Sequence, residues 1–344
     1  MAVNLFDWRS LTDLVNKQQS PEAFVADTIF GRSQDHLSDK VDLEIISGSK
    51  RVAEYINRGE AARVVNKRAR VAKTVKLPEL ALSQFFSPQE LFMQKDAGGL
   101  GSPYASNAGQ LNDYRNRRLA ESAQELKDRI SRARELMACQ ALQGKITVAQ
   151  DNLEFEVDFG YVANTHLVTL AGAAKWDTGT AKMLDDIRKY RRQTMNLCGF
   201  PADKCIIGTG AAEKLLADAT IQKILDTNNF RTGTVDLNGP QGKAATRIGM
   251  IAGIEFWEYN QQYQDTAGAD ADFINPKNAI FVASQCPHFR THWGPVFRED
   301  GIHTEHFYGR TFTVKNPDGT YQEVASSFLT AVHDPDAVVC VTTY

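Results

Sequence analysis

The chain has 344 residues, of which 42% are hydrophobic and 24% charged, and a formal net charge of -3. This is the composition of a globular protein and not of a disordered one. No stretch approaches the roughly 20 apolar residues of a membrane-spanning helix. The N-terminus, MAVNLFDWRSLTDLVNKQQ, lacks the apolar core of a signal peptide, so we expect a protein made and kept in the cytoplasm. Five scattered cysteines without a CxxC pair predict neither a disulfide framework nor a structural zinc site.

The first 38 residues are predicted to form an arm of two short helices. Apolar residues recur at helical spacing at Leu5, Trp8, Leu11, Leu14 and Val15. Ser20 and Pro21 then provide an N-cap and a first helical residue for a second helix that runs to Phe30. Two such helices cannot bury a core alone, so we expect the arm to need a partner surface.

Residues 39–95 are predicted to be rich in strand. Apolar and polar residues alternate in 52–56 and again in 71–77, and Asn57-Arg58-Gly59 between them is a turn signal. The pattern predicts a long two-stranded hairpin. Because an isolated hairpin is marginally stable in water, it must lie on another surface.

This hairpin region is strongly basic. Between Lys50 and Lys76 there are nine basic residues and two acidic ones, in a chain that is acidic overall. The segment could bind nucleic-acid phosphates, could be a solvated charged hairpin, or could lie on acidic surfaces of sister subunits. Tyr55 is its one aromatic residue, so base stacking is poorly supported and we favour subunit contact. The predicted inter-subunit contact residues are Arg51, Arg58, Glu60, Arg63, Lys67, Arg68, Arg70 and Lys73.

A long helix is predicted for 110–143, after a glycine-rich hinge at 96–109. Gly144 is a suitable residue to end it. At 1.5 Å per residue the helix spans on the order of 50 Å, as a spine across an elongated domain would. The residues predicted to pack its apolar stripe are Leu119, Leu126, Ile130 and Met137. We expect Ile130 to lie on strands around Val157 and 338–341.

The rest of the chain alternates between strands and helices. Strand pairs are predicted at 146–148 with 155–159, and near the C-terminus at 312–314, 321–324 and 337–341. Between them an α/β region is predicted, with helices at 184–197 and 211–225 and strands at 206–207, 254–259 and 279–282. The segment 228–245 is predicted to be a loop, and the whole pattern indicates an α+β protein.

The sequence contains no complete catalytic or metal-binding motif. Four of the seven histidines, His288, His292, His303 and His306, fall within 19 residues and could indicate a metal-dependent hydrolase. They lack the HExxH and HxxEH spacings, and Pro287 and Pro295 disfavour the helix that the first pair would need. No glycine-rich phosphate loop or GxSxG motif is complete. We therefore predict no catalytic, cofactor-binding or metal-binding residues and no enzymatic activity.

The order of these parts resembles that of tailed-phage capsid proteins. The residues that carry the resemblance are in the hairpin tip, the arginine-rich helix, the segment after it and the last strand pair, at 58–61, 115–140, 141–147 with 155–160, and 327–336. The chain resembles the lambda-type family of major capsid protein E, which has the Hong Kong 97 fold. The N-terminal arm aligns with little of the family pattern, so its role is inferred from its position.

The resemblance implies an α+β fold with five parts. These are an N-terminal arm (1–38), an extended β-hairpin loop (39–95), a peripheral domain with the spine helix (96–170), a central axial α/β domain (171–304) and returning strands of the peripheral domain (305–344).

The resemblance also implies a function. The chain would be the major capsid protein of a tailed double-stranded DNA phage, assembling in the host cytoplasm as hexamers and pentamers into the icosahedral head of the virion. Its implied partners are copies of itself, a scaffold protein, a decoration or cement protein, a portal at one vertex and DNA bound non-specifically at the inner face. No cofactor, membrane or covalent cross-link between subunits is implied. The alternatives are a nucleic-acid-binding protein that uses 50–76 and a hydrolase that uses the histidines of 288–306.

Overall fold

The computed structural model of the chain describes residues 8–18, 23–46, 70–92, 108–150, 153–223, 245–265 and 268–344. Its helices are α1 (Trp8–Lys17), α2 (Phe24–Thr28), α3 (Pro88–Phe92), α4 (Ala108–Leu142), α5 (Met183–Cys198) and α6 (Thr209–Ala217). Its strands are β1 (Ser33–Asp35), β2 (Lys40–Ile46), β3 (Arg70–Lys76), β4 (Glu79–Phe86), β5 (Lys145–Gln150), β6 (Leu153–Asp158), β7 (Leu167–Thr169), β8 (Lys204–Gly208), β9 (Ala245–Ile251), β10 (Ile254–Tyr259), β11 (Gln262–Gln264), β12 (Asp270–Asp272), β13 (Asn278–Val282), β14 (Phe289–Trp293), β15 (Val296–Arg298), β16 (Gly301–His303), β17 (Tyr308–Lys315), β18 (Asp318–Val332) and β19 (Val338–Thr342).

Two sheets form the body of the protein. A five-stranded sheet has the order β1-β14-β18-β17, with β4 also paired to β18. A six-stranded sheet has the order β7-β19-β13-β8-β10-β9. The chain passes between the sheets three times, by a long connection from β4 to β7 and by two short crossings, 283–288 after β13 and 333–337 after β18. Among the described residues, no helix is long and apolar enough to cross a membrane.

The long helix α4 lies on the long strand β18. At 35 residues the helix spans about 50 Å, and 15 residues of extended chain span about the same distance. Near one end of the strand, Gln322 Nε2 donates a hydrogen bond to the Leu119 carbonyl oxygen (2.8 Å), and near the other the Thr330 amide faces Met137 Sδ (3.5 Å). These contacts show that the helix follows the strand along its length.

All four residues predicted to pack the helix, Leu119, Leu126, Ile130 and Met137, are buried, with at most 5% of any of them exposed. The predicted partners of Ile130, Val157 and 338–341, need correction. The main partner of α4 is β18, because β18 continues through 325–332 as a strand as long as the helix itself.

The N-terminal arm packs on its own chain. Leu11 and Val15 of α1 are fully buried against β17 and α4, and Thr12 Oγ1 donates a hydrogen bond to the Gly309 carbonyl oxygen. The buried Glu135 carboxylate on α4 accepts hydrogen bonds from the first amides of α2, those of Val25 (2.8 Å) and Ala26 (2.9 Å). The partner surface that the arm was expected to need is therefore provided by the spine helix and the sheet beneath it.

Strand pairing differs from the predicted division at three places. Strand β4 falls in the predicted loop (39–95) and β14 in the predicted axial part (171–304), yet both pair with β18 in the five-stranded sheet. Strand β19 falls among the predicted peripheral strands (305–344) but pairs with β13 in the six-stranded sheet. For β14 and β19 the reason is the two short crossings, after which the chain continues in the other sheet.

Some predicted elements begin or end elsewhere. Helix α6 begins at Thr209 and ends at Ala217, because the Asp218 carboxylate accepts hydrogen bonds from the amides of Thr220 and Ile221 and so starts a new turn. The predicted hinge at 96–109 lies almost wholly outside the described residues, as does nearly all of the predicted loop at 228–245.

Candidate functional site

Strands β2 and β3 form a two-stranded ribbon that is separate from the two large sheets. Seven antiparallel pairs run from Lys40 opposite Lys76 to Ile46 opposite Arg70. At the base of the ribbon, the Leu77 amide donates a hydrogen bond to the Asp39 carbonyl oxygen (2.8 Å). The predicted strand at 71–77 is therefore present as β3. Its partner is 40–46, whereas the predicted partner at 52–56 lies outside the described residues.

One face of the ribbon is packed on the body of the same chain. Val41, Leu43, Val75 and Leu77 are all buried. Leu77 lies so close to Gly294 that a Cβ atom there would be 2.5 Å from Leu77 Cδ1, so a larger residue at 294 would force the Leu77 side chain to move. The base of the ribbon thus has a fixed position on the five-stranded sheet.

The face of the ribbon opposite its buried residues carries charges of both signs, at Lys40, Asp42, Glu44 and Lys76. Lys40 and Lys76 lie directly opposite each other and both are exposed, although like charges in this arrangement are destabilising. Lys73 is also exposed, but it lies directly opposite the buried Leu43 and so belongs to the other face of the ribbon. Within the described part of the chain, none of these three lysines makes an ion pair. Lys40 and Lys76 at the base of the ribbon, and Lys73 in its middle, are exposed cations without an ion pair, which makes the ribbon a candidate for binding acidic groups of another molecule.

Most predicted contact residues lie outside the described residues, namely Arg51, Arg58, Glu60, Arg63, Lys67 and Arg68. Arg70 is the first residue of β3, and Lys73 is in its middle. The sequence prediction missed Lys40, although the alternation of charged and apolar residues in Lys40-Val-Asp-Leu-Glu-Ile could have identified a strand there.

A chain of hydrogen-bonded histidines connects the ribbon to the sheet. His36 Nε2 lies 2.8 Å from His292 Nδ1, and His292 Nε2 lies 2.9 Å from His333 Nε2. His333 Nδ1 lies 3.1 Å from the carbonyl oxygen of Glu44 on β2. Because a carbonyl can only accept, His333 Nδ1 must donate to it, so His333 Nε2 accepts from His292 and His292 Nδ1 accepts from His36.

Burial keeps the centre of this chain neutral. Only 2% of His292 is exposed, and loss of hydration lowers its pKa to about 3, with smaller contributions in the same direction from His333, His36 and Arg290. A neutral imidazole has one donor and one acceptor, which is what each link of the chain requires. His292 therefore has a structural role between the sheet and the ribbon.

His292→Leu is expected to lower the free energy of unfolding of the dissociated subunit by about 1–3 kcal/mol, because the buried acceptor of His333 loses its donor. Urea unfolding followed by circular dichroism measures this change. His306→Leu is the matched control, because His306 is half exposed and stacks on Trp293 without joining the chain. Equal unfolding midpoints for the two variants would contradict the role assigned to His292.

The other histidines of 288–306 do not form one cluster with His292. His303 stacks on Tyr308 with 4.0 Å between ring centroids, and its Nε2 lies 3.1 Å from Asp300 Oδ1. His306 Nε2 lies 3.2 Å from Asp35 Oδ1. Among the described residues, the one group of three possible metal ligands contains neither pair considered from sequence, His288 with His292 or His303 with His306.

Comparison with known proteins decides the family. The family model for phage major capsid protein E matches residues 7–343. The chain belongs to this family. It is a capsid protein of phage virions, as the sequence resemblance predicted, so the nucleic-acid-binding and hydrolase alternatives are not favoured.

Solved structures show the same fold. A capsid protein of a prophage of Escherichia coli CFT073 has a TM-score of 0.72 at 16% identity, with 100% of both chains covered. A phage-related protein of Bordetella bronchiseptica RB50 has a TM-score of 0.58 at 12% identity, covering 99% of this chain and 98% of its own. The mature capsid of bacteriophage PhiM1 gives a TM-score of 0.51 at 11% identity, covering 94% of this chain and 87% of its own. No curated protein matches the chain. The α+β fold of the capsid protein is thus the Hong Kong 97 type, which confirms the predicted fold class.

Proposed function

We propose that this capsid protein assembles as hexamers and pentamers into a closed icosahedral head, and that the β2–β3 ribbon carries residues 47–69 onto a neighbouring subunit. The observation that supports this most is the ribbon itself. Its base is fixed by buried residues of its own chain, while its exposed lysines have no acidic partner within the described residues. A neighbouring subunit with an acidic surface would provide that partner.

Assembly of this kind needs large contact areas. Obligate interfaces bury on the order of 2,000–5,000 Å², and each subunit of a shell contacts several neighbours. Contacts between different surfaces of identical subunits must close into rings, as hexamers and pentamers do. A ribbon separate from the two large sheets adds contact area without enlarging the core. After assembly, the proposed maturation is a rigid-body rotation of subunits that tightens these interfaces.

The proposed partners follow from the same role. They are copies of the chain, a scaffold protein during assembly, a decoration protein on the finished shell, a portal at one vertex, and packaged DNA held non-specifically at the inner face. Because the chain belongs to a family of capsid proteins, a role without enzymatic activity or a cofactor is supported. We also propose that the shell has no covalent cross-links between its subunits.

Electron microscopy of negatively stained purified protein, with and without its scaffold protein, tests the proposal. Closed particles of uniform size are expected. Monomers or irregular aggregates under both conditions would contradict it.

Reversing the charge of Arg68 and Arg70 together to Glu is expected to reduce the yield of shells while leaving the subunit folded. A single exposed ion pair contributes only about 0.2–1 kcal/mol, but the loss recurs at every copy of the contact in a shell. Sedimentation at physiological salt measures the yield, and circular dichroism checks the fold.

Arg188→Glu with Arg192→Glu is the matched control, since it makes the same change of charge on the exposed face of α5. An unchanged yield for the Arg68 and Arg70 variant, or an equal loss for the control, would show that charge on the ribbon does not determine assembly.

A further inference from the structure

The two short crossings between the sheets, 283–288 and 333–337, lie side by side. The Ala283 amide donates a hydrogen bond to the Ala337 carbonyl oxygen (3.0 Å), and the His333 amide donates one to the His288 carbonyl oxygen (2.9 Å). Within the first crossing, the Cys286 amide donates a hydrogen bond to the Ala283 carbonyl oxygen (3.0 Å). Backbone contacts therefore fix the two segments against each other at the place where the two sheets are joined.

Three side chains with metal-binding atoms converge at this junction. They are the thiol of Cys286 and the imidazole of His288 from the first crossing, and the carboxylate of Asp334 from the second. One donor atom from each lies within 4.8 Å of the other two, and Cys286 Sγ is 3.9 Å from Asp334 Oδ2. Around a tetrahedral zinc ion such atoms are about 3.3–3.8 Å apart, so movements of about 1 Å suffice.

The surroundings orient these groups. Asp334 Oδ1 accepts a hydrogen bond from the Asp336 amide (3.1 Å), so the other carboxylate oxygen is directed at Cys286. A hydrogen bond of this kind, from a group that does not itself bind the metal, orients a carboxylate ligand before the metal binds. Cys286 and Asp334 are buried, while His288 is half buried and gives access from solvent.

We propose that Cys286, His288 and Asp334 form a binding site for a divalent transition metal of the zinc class, which would fasten the two sheet crossings to each other. A set of one sulfur, one nitrogen and one oxygen suits zinc or cobalt and does not suit calcium or magnesium, which prefer oxygen ligands alone. Three protein ligands leave a fourth position for water. This replaces the sequence-based expectation that no residue binds metal, and it does not depend on how the shell assembles.

Binding would change the protonation of the cysteine. Burial raises the pKa of the Cys286 thiol to about 12, so the free site holds a neutral thiol. When the metal binds, the S–H bond breaks, a sulfur–metal bond forms and the proton passes to solvent. No oxidant or reductant is required.

Cobalt titration of the purified full-length protein tests the site. One Co²⁺ per chain is expected to give a sulfur-to-cobalt charge-transfer band in the near ultraviolet and the visible bands of tetrahedral cobalt. Cys286→Ser should abolish the charge-transfer band. Cys139→Ser is the matched control, since Cys139 is equally buried but lies in α4, and it should keep the wild-type spectrum. Zn²⁺ at hundredfold excess over its Kd should raise the unfolding temperature of the wild type on the order of 5 °C.

The proposal is overturned if the wild type shows no charge-transfer band, or if Cys286→Ser retains it. Should Cys286→Ser not fold, His288→Ala provides the test, because that half-buried side chain can be removed at a smaller structural cost. Retention of the full wild-type cobalt affinity by a folded His288→Ala variant would equally overturn the proposal. All these measurements concern a single chain, so their outcome is independent of whether the protein forms shells.

Discussion

Replacing residues 47–69 with Asn-Gly is expected to leave a folded subunit that forms no shells. Ile46 and Arg70 are directly opposite each other at the end of the ribbon, so a two-residue turn can join them. The buried residues at the ribbon base, such as Leu43 and Val75, stay in place. Circular dichroism and thermal unfolding should match the full chain, while electron microscopy should show no particles.

A second variant separates the length of this segment from its sequence. In it, residues 47–69 are replaced by a glycine and serine linker of equal length, which should fold and also fail to assemble. Normal particles from the Asn-Gly variant would show that the segment is not needed between subunits. An unfolded Asn-Gly variant would show instead that 47–69 stabilise their own subunit.

Ile130→Asp is expected to yield insoluble protein and no particles. Ile130 is 1% exposed on the face of α4 that packs on β18, and removal of its side chain in Ile130→Ala should cost about 2–5 kcal/mol. Aspartate adds an unpaired charge in an apolar site, which costs considerably more. The loss expected for Ile130→Asp is therefore a large part of the roughly 5–15 kcal/mol that stabilises a typical domain. Soluble yield and urea unfolding of the subunit measure the effect.

The neighbouring residue provides the control. Arg129→Asp places the same new side chain one position away on the exposed face of α4, and it should remain soluble. Ile130→Val should cost only about 0.5–1.5 kcal/mol and should assemble. If Ile130→Asp is soluble and forms normal shells, this face of the helix is not the packing face and its placement on β18 is wrong.

The spacing of apolar residues in the sequence predicted helices and strands better than it predicted which of them pack together. The apolar stripe of 110–143 predicts a long helix, and the structure has one from Ala108 to Leu142. The strand that supports it was underestimated, because Ala325-Ser-Ser-Phe-Leu-Thr-Ala-Val332 has no simple alternation and pairs with different strands along its length. A strand buried on both faces lacks the period of two that would reveal it.

The sequence also could not predict which distant segments of the chain pair with each other. The alternation in 71–77 predicts a strand but cannot state whether its partner is 40–46 or 52–56, since both have suitable patterns. The same limit explains why the sequence analysis did not group the ligands of the proposed metal site. Cys286 and Asp334 are far apart in sequence, so no local motif joins them, whereas HFRTH attracted notice because its histidines are close in sequence.

A cryo-electron microscopy reconstruction of the assembled shell tests the central claim most directly. The proposal predicts continuous density from the β2–β3 ribbon of one subunit into residues 47–69 lying on an adjacent subunit, within rings of six and five. It also predicts acidic groups of that neighbour beside Lys40 and Lys76, which share one face of the ribbon. Density in which 47–69 fold back onto their own subunit, with no contact between ribbon and neighbour, would contradict it.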